Sequence, residues 1–584
     1  MSTFTGLTTM VRGIYMNQLS LNTVGHNIVN AGTDGYSRQY AAPVATQSEH
    51  RAGLHSNIEV GTGVDALSLT RSRDTYADYQ YRQETTYKSY YEEMATCYDK
   101  LEAIFNDSGN TGVADAMSEV FKAWSALSTE GPTAANRETV IEKSKILCNS
   151  ISTLGAQLQD QINSQYDEIH KHTIHVDEMM ERMVELNKQI VAAEADGSMA
   201  NDLRDQRDLI ADDLADYFNL TITEDDLGAY QIVGNGVMLV NGFAKLTLEF
   251  DERGVSSSIY GVDYGVNDHE IKIKESDQVY VPSSGILKAH YDAIDDCKEQ
   301  IDNLANISAY LLTALNDQHA AGYDMNGDFG RNFFGVTDYE YTYEFDPKMQ
   351  YNYVLEKDVD EGTPDKRLTG IALINALKVN NDFDDIGGYK YVAAASAYRD
   401  YDDDGSWLKY TNESDMTYTV DADGKPTGTN IIDWGGRTGD GTNAVYISEL
   451  FNMSFKDIVE KGRSNAAIIQ KYTMKDIYKQ SVMDSDGNPT YITPLGLDSL
   501  NAYYQKAMTQ IGVEAQAIDT TILQHDVIMT QIENWRDSVS GVDWNEELTD
   551  MIKYQKGYQS CARCLTAMDE CLDRLVNNTG VVGR

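Results

Sequence analysis

The stretch LTTMVRGIYMNQLSLNTVGHNI, residues 7–28, places an apolar residue at every seventh position, and the stretch MIKYQKGYQSCARCLTAMDECLDRL, residues 551–575, does the same near the C-terminus. A sustained seven-residue repeat makes a narrow apolar seam on a helix, which is buried by coiling against another helix. We therefore predict that helices from the two ends of the chain pair with each other. The eight positions of this assembly seam are Leu7, Ile14, Leu21, Ile28, Met551, Tyr558, Leu565 and Leu572.

The alternative is that each stretch is an ordinary surface helix docked on a globular core. Such a helix keeps a broad apolar face, whereas polar residues interrupt both stretches, namely Asn17, Gln18, Gln555 and Gln559. The interruptions favour the narrow seam. Because the two seams lie at opposite ends of 584 residues, the sequence between them becomes a set of insertions, which indicates an assembly protein.

Size and charge narrow the function. A chain of 584 residues exceeds what one hydrophobic core organises, so we expect three or more domains. Its 92 acidic and 47 basic residues give a net charge of -45, which argues against binding nucleic acid or an anionic membrane, because phosphate would be repelled. No apolar run approaches the roughly 18 residues that span a bilayer. The N-terminus lacks the basic start and apolar stretch of a secretory signal, so export would need another route.

Periodicity divides the interior into helical and strand-like blocks. Apolar residues fall at helical spacing over 76–220, 286–315 and 500–535, with turn-forming residues at 107–111 and 129–133. The period changes to two in 220–223, 229–233 and 237–240, and Gly234-Asn235-Gly236 provides a hairpin turn. Tyrosine-rich, strand-like sequence follows the second helical block and includes residues 416–420.

These blocks predict a multidomain, discontinuous α+β fold with paired N- and C-terminal coiled-coil helices, a long-helix domain and inserted all-β domains. We expect residues 1–42 and 541–584 to form the terminal coiled-coil assembly domain, and residues 43–218, 283–321 and 446–540 to form the helical domain. Residues 219–282 are expected to form a first β insertion, and residues 322–445 an outer β-rich insertion.

Two groups of residues have the spacing of metal ligands. His170, His172 and His175 lie close in sequence, but on a helix the first and last point about 140° apart, so a shared ion is not expected. Asp400, Asp402 and Asp404 begin like a calcium loop, but Thr411 stands where a bidentate Glu is needed, which favours a solvated acidic loop.

Two further patterns have structural explanations. Cys561 and Cys564 have the spacing of a redox or zinc pair, yet they lie inside the C-terminal helix with no second pair, so Cys561 is expected to pack in the seam. The alternating Asp and Arg residues of 201–208 are expected to form solvent-exposed ion pairs, each contributing well under about 1 kcal/mol. We therefore predict no catalytic residue, no cofactor and no metal site.

Several stretches also carry a family resemblance. Gly25 to Asn30 and Thr33 to Gln39 resemble the N-terminal signature of the flagellar axial proteins, and the ending Gly-Tyr-Ser-Arg-Gln resembles the hook-associated protein 1 family. Residues 61–64, 201–208 and 316–323 and the C-terminal helix are similar to further landmarks of that family in the expected order, and about 340–500 is poorly matched. The signature residues are Asn27, Asn30, Gly35, Tyr36, Ser37, Arg38, Gln39, Glu546 and Glu547.

The resemblance implies a structural, non-enzymatic subunit of the bacterial flagellum that assembles at the distal end of the hook and forms the junction on which the filament is built. It implies type III export without a cleaved signal peptide and an extracellular location. The implied partners are copies of the chain itself, the hook protein, the second junction protein (hook-associated protein 3) and an export chaperone at the C-terminal helix. A filament or hook subunit, or a secreted enzyme carried on an axial-protein scaffold, remains the alternative.

Overall fold

A computed structural model describes most of the chain. The residues described are 4–52, 57–105, 112–326, 328–346, 351–358, 364–395, 419–420, 426–427, 441–454, 457, 493–496 and 498–578. The possible calcium loop at Asp400 to Asp404 and most of the poorly matched block lie outside them. The described helices are α1 Phe4–Asn30, α2 Thr75–Phe105, α3 Val113–Thr129, α4 Ala134–Ala193, α5 Asn201–Leu214, α6 Gly285–Tyr310, α7 Asn316–Ala320, α8 Gly370–Ala376, α9 Thr442–Asn452, α10 Leu500–Ser540 and α11 Trp544–Asn578.

The two terminal helices, α1 and α11, pack side by side and antiparallel, which confirms the predicted pairing. Small residues bring them close, because a Cβ atom at Gly6 would lie 2.9 Å from Met568 Cε and one at Gly13 would lie 3.0 Å from Cys561 Sγ. Further along, Asn17 lies against Gly557. A larger side chain at any of these glycines would force the facing side chain to move.

The helical blocks predicted for the interior are present. Helix α2 packs against α6 and α10, and the 60-residue helix α4 packs against α3 and α6. Turn residues separate α3 from α4, where the Thr133 side chain accepts a hydrogen bond from the Asn136 N–H and so caps α4. The largest fully buried side chains of this core include Trp124, Leu147, Ile151, Tyr310 and Phe333. Within the described residues, no helix has the length and apolar character needed to cross a bilayer.

The predicted hairpins form small antiparallel sheets after α5. Strands β5 Leu220–Glu224, β6 Tyr230–Gly234, β7 Val237–Asn241 and β8 Ala244–Lys245 form one sheet in that order. Asn235 and Gly236 both have positive φ, 51° and 81°, as a tight two-residue hairpin turn requires. Further pairing joins β9 Leu248–Phe250, β12 Ile271–Ile273 and β13 Gln278–Tyr280, and separately β10 Val255–Ser256 and β11 Asn267–Asp268.

Strands also form in two other regions of the chain. The expected helical domain begins at residue 43, whereas residues 43–74 contain strands β2 Glu49–Ala52, β3 Asn57–Val60 and β4 Val64–Arg71, the last paired with β1 Gln39–Ala45. Strands β14 Tyr339–Asp346, β15 Tyr351–Asp358 and β16 Lys366–Leu368 form a sheet in the expected outer insertion. Val354 and Leu368 of this sheet lie in the same hydrophobic core as the long helices.

Candidate assembly site

The assembly seam is only partly covered within one chain. Seven of its eight side chains are half-buried and Tyr558 is 42% exposed. Other large apolar side chains of the terminal helices stay in solvent, as Val29 is 82%, Tyr15 67% and Ile552 59% exposed. Two helices that cover each other on one side therefore leave apolar surface for further contacts.

A buried polar network ties the base of α1 to the start of α11. The Asn27 amide nitrogen donates to the Gln39 backbone oxygen at 2.9 Å and to Glu547 Oε2 at 3.1 Å. Its oxygen accepts from the Tyr36 hydroxyl at 2.8 Å and from the Gln39 N–H at 3.0 Å. Asparagine has two donors and two acceptors in its side-chain amide, and here all four are used.

Arg38 completes this terminal network, defined as Asn27, Tyr36, Arg38, Gln39 and Glu547. Its Nε donates to Glu547 Oε1 at 2.6 Å, and its backbone N–H donates to the Ser540 oxygen at 2.9 Å. Glu547 is 1% exposed. Burial alone would lower the pKa of Arg38, but the hydrogen bond and charge of Glu547 raise it above its ordinary value, so Arg38 stays ionised. Burial and the nearby carboxylates of Asp202, Asp205 and Glu547 raise the pKa of Tyr36, which remains a neutral donor.

A second network joins the loop after α1 to the helical region. The Gln39 side chain donates to Asp202 Oδ1 at 2.9 Å and accepts from Asn201 Nδ2 at 3.2 Å. The Ser37 N–H donates to Asp205 Oδ2 at 3.1 Å. Gly35 has a φ of 75° and a Cβ there would lie 3.2 Å from Leu209 Cβ, so the turn before Tyr36 favours glycine.

Beneath that loop lies a compact set of ion pairs, the arginine–aspartate cluster. Asp208 Oδ2 lies 2.8 Å from Arg71 Nη1 and 3.0 Å from Arg73 Nη1, and its Oδ1 accepts from the Tyr230 hydroxyl at 2.6 Å. Burial alone would raise the pKa of Asp208, but Arg73, Arg71 and Arg82 hold it at about 2. The cluster has four acids and four bases, so its formal charges cancel. Its members are Asp78, Asp205, Asp208, Asp212, Arg71, Arg73, Arg82 and Arg536.

The expectation of solvent-exposed ion pairs at 201–208 is therefore wrong. Arg207 is fully buried, with its guanidinium carbon 3.4 Å from the centre of the Tyr230 ring, and Asp205 and Asp208 are also buried. The arginines that pair with Asp205 and Asp208 come from β4, from the segment after it and from α2, all more than a hundred residues away in sequence. The sequence of residues 201–208 alone does not indicate those partners. The spacing of its Asp and Arg residues therefore could not predict that they are buried.

The remaining signature residues have simpler surroundings. Asn30 Nδ2 donates to the His26 backbone oxygen at 3.0 Å, near the end of α1. Glu546 is exposed on its side chain by 59% and lies 3.2 Å from Arg38 Nη2. All nine signature residues thus lie where the two terminal helices meet the body of the chain.

The histidine and cysteine candidates do not converge. The His170 ring packs on Phe250, His172 lies 3.2 Å from the Tyr217 hydroxyl, and the His175 ring lies 6.3 Å from that of Tyr217. Cys561 packs against Gly13 while Cys564 is exposed. Sequence reasoning missed a different group on α2 and α6, namely Glu93, Cys97 and His290.

Comparisons with known proteins agree with this arrangement. A family model described as "Flagellar hook-associated protein FlgK helical domain" matches residues 98–334, and one described as "Flagellar basal body rod FlgEFG protein C-terminal" matches residues 537–578. Flagellar hook-associated protein 1 of Bacillus subtilis strain 168 is 23% identical over 616 residues, covering 100% of both chains. That of Escherichia coli K12 is 25% identical over 585 residues, covering 97% of this chain and 98% of the relative.

A solved structure supports the same fold. The flagellar hook junction protein FlgK from Burkholderia pseudomallei aligns with a TM-score of 0.54 at 15% identity, over 79% of this chain and 100% of the other. The discontinuous α+β fold is thereby confirmed. The chain is thus similar to flagellar hook-associated protein 1 along its length, and residues 98–334 match the family model of that protein's helical domain.

Proposed function

We propose that this chain is a structural subunit of the bacterial flagellum that assembles at the distal end of the hook and forms the junction on which the filament is built. The observation that carries the proposal is the antiparallel pair of terminal helices, joined at its base by buried Glu547 and still exposing apolar side chains. The names of the full-length relatives support the location.

The assembly seam would act between subunits. One partner helix leaves each seam half-buried, and burying a large apolar side chain completely contributes roughly 1.5 to 3 kcal/mol. Copies of the chain arranged side by side would cover the remaining sides. The terminal network and the arginine–aspartate cluster would hold the pair at a fixed position on the body, so that neighbouring subunits meet in one register.

The remaining partners follow from the same location. Hook protein would lie below the junction and hook-associated protein 3 above it, and an export chaperone would cover the apolar side of α11 before assembly. The chain would be extracellular and exported through the flagellar type III route without a cleaved signal. Nucleic acid is not among the proposed partners, because a net charge of -45 would repel its phosphates.

A localisation experiment separates the proposal from its alternatives. Labelled protein on isolated hook-basal bodies should appear at the hook tip only. Label along the whole filament or hook would instead favour a filament or hook subunit. An enzyme carried on an axial scaffold would require a catalytic activity of the purified chain and no effect of its loss on the junction.

A paired substitution tests the seam. Leu565→Asp should abolish incorporation at the hook, because a charge would be buried unpaired where subunits meet. Thr566→Asp is the matched control, since Thr566 is exposed and its hydroxyl bonds only to the Ala562 backbone of its own helix. If both variants are incorporated at equal levels, the assembly seam does not lie in the contact between subunits.

A further inference from the structure

Three potential metal ligands of different chemistry meet between α2 and α6. Glu93 and Cys97 lie one helical turn apart on α2, and His290 lies on α6. Glu93 Oε1 is 3.7 Å from His290 Nε2 and 4.0 Å from Cys97 Sγ, and all three ligand atoms lie within 4.8 Å of one another. None of these residues belongs to the terminal network or the arginine–aspartate cluster.

The His290 ring is oriented as a ligand would be. Its Nδ1 lies 2.6 Å from Gln165 Oε1, and because this oxygen can only accept, Nδ1 carries the proton. Nε2 therefore presents a lone pair toward Glu93 and Cys97. His290 is 1% exposed, and its Nε2 has no hydrogen-bond partner. A buried polar atom without a partner is costly, and a histidine held through its other nitrogen is the usual arrangement around a bound metal.

We propose that Glu93, Cys97 and His290 bind one zinc ion that links α2 to α6. Thiolate, imidazole and carboxylate are all zinc ligands, and at ordinary bond lengths of about 2.0 to 2.3 Å a tetrahedral ion separates its ligand atoms by about 3.3 to 3.8 Å. The observed 3.7 and 4.0 Å separations need only a small contraction. The fourth position would be filled by water from the side of Glu93, whose side chain is 25% exposed.

The surrounding charges are compatible with a dication. Glu168 and Asp296 are acids near the group, Lys100 is a cation near it, and the His172 ring stacks on that of His290 at 5.3 Å. Burial lowers the pKa of His290 to about 3, so the ring is neutral and able to ligate at neutral pH. Burial raises the pKa of the Cys97 thiol to about 12, with Glu93 adding to the effect. Zinc binding must therefore displace the Cys97 proton, which passes to solvent as the sulfur–metal bond forms.

Zinc binding to purified, chelator-treated full-length protein tests the site. The three thiols of the C-terminal helix are first removed by replacing half-buried Cys561 and exposed Cys564 and Cys571 with Ser, since these could bind metal adventitiously. We expect one zinc per chain in this background, and with cobalt(II) as probe a thiolate-to-cobalt absorption band. Apparent affinity should rise about tenfold per pH unit, because one thiol proton is released.

Variants in the same background assign the ligands. Cys97→Ser and His290→Gln should abolish stoichiometric binding and the cobalt band, while Cys148→Ser, an equally buried cysteine on α4 away from the group, should leave both unchanged. Glu93 is partly exposed and Glu93→Gln should fold normally, so it tests the site even if the buried variants do not fold. It should weaken zinc binding by at least about tenfold. Absence of the cobalt band, or equal binding by Glu93→Gln and its parent, would overturn the proposal.

Discussion

Replacing Glu547 by Gln should loosen the terminal pair, whereas the same change at its neighbour Glu546 should not. Glu547 is 1% exposed and accepts from Arg38 at 2.6 Å and from Asn27 at 3.1 Å. Gln keeps the shape but loses the charge, and its NH₂ group must then face a donor of either Asn27 or Arg38. Glu546 also lies near Arg38, at 3.2 Å, but its side chain is 59% exposed.

The size of the effect follows from these surroundings. A hydrogen bond to a charged group contributes about 1.5 to 3 kcal/mol, and breaking a fully buried ion pair costs about 3 to 5 kcal/mol. Arg38 is 24% exposed and keeps Glu546 and Asp550 within 4 Å, so about 2 kcal/mol is expected for Glu547→Gln. The exposed pair at Glu546 should contribute no more than about 0.5 kcal/mol.

Amide hydrogen exchange can measure this difference in the purified monomer. About 2 kcal/mol corresponds to an opening equilibrium raised about 30-fold, so amides of α1 near Asn27 and of α11 after Glu547 should exchange about 30 times faster in Glu547→Gln. In Glu546→Gln they should stay within about twofold of the parent, and α4 should be unchanged in both. If the two variants exchange alike at the terminal helices, Glu547 does not hold the two helices together.

Two further predictions concern buried charge and pH. Asp208→Asn should destabilise the helical region by about 2.5 kcal/mol at neutral pH, because the folded pKa of about 2 lies below the ordinary value of 3.8. This stability is present above pH 4 and is lost as the pH falls through about 2, so the difference in denaturant midpoint between variant and parent should narrow at low pH. The exposed control Asp226→Asn should change the free energy of unfolding by under about 0.5 kcal/mol. His319 is fully buried and burial lowers its pKa to about 4. Between about pH 6.5 and pH 4, its imidazole is therefore protonated in the unfolded chain but neutral in the folded chain. The free energy of unfolding should therefore drop by about 3 kcal/mol between pH 6.5 and pH 4, as measured by denaturant titration. If the free energy of unfolding of His319→Gln falls by the same amount over this range, groups other than His319 cause the effect.

Features with a local periodicity could be predicted from the sequence. The seven-residue repeats predicted the terminal helices and their pairing, and the alternating residues around Asn235 and Gly236 predicted a hairpin. Strand β1 shows why other elements could not be found. Its sequence, residues 39–45, contains Pro43 and has mostly exposed or half-buried side chains, so it lacks the alternating apolar pattern of a core strand.

Sites built from distant elements could not be predicted. The arginines around Asp208 come from positions 71, 73 and 82, more than a hundred residues away, and the same Asp and Arg spacing fits an exposed helix equally well. Glu93 and His290 are likewise about two hundred residues apart. Side chains that meet only through tertiary packing have no common sequence pattern, and burial then changes the chemistry that their spacing alone suggests.

The contacts between the terminal helices and the body indicate when α1 and α11 pair during folding. Asn27 and Glu547 are separated by 520 positions, but the body has already brought the two helices together at their bases. Helix α10 lies along α2, Arg536 lies 3.2 Å from Asp78, and the Arg38 N–H bonds to the Ser540 oxygen. Once the body has folded, pairing α1 with α11 closes only short segments, and the entropy cost of a loop grows slowly with its length. We therefore expect terminal pairing to be a late folding step that depends on the folded body. Because the two helices form one seam only when they are paired, we expect the complete assembly seam to be present only after the body has folded.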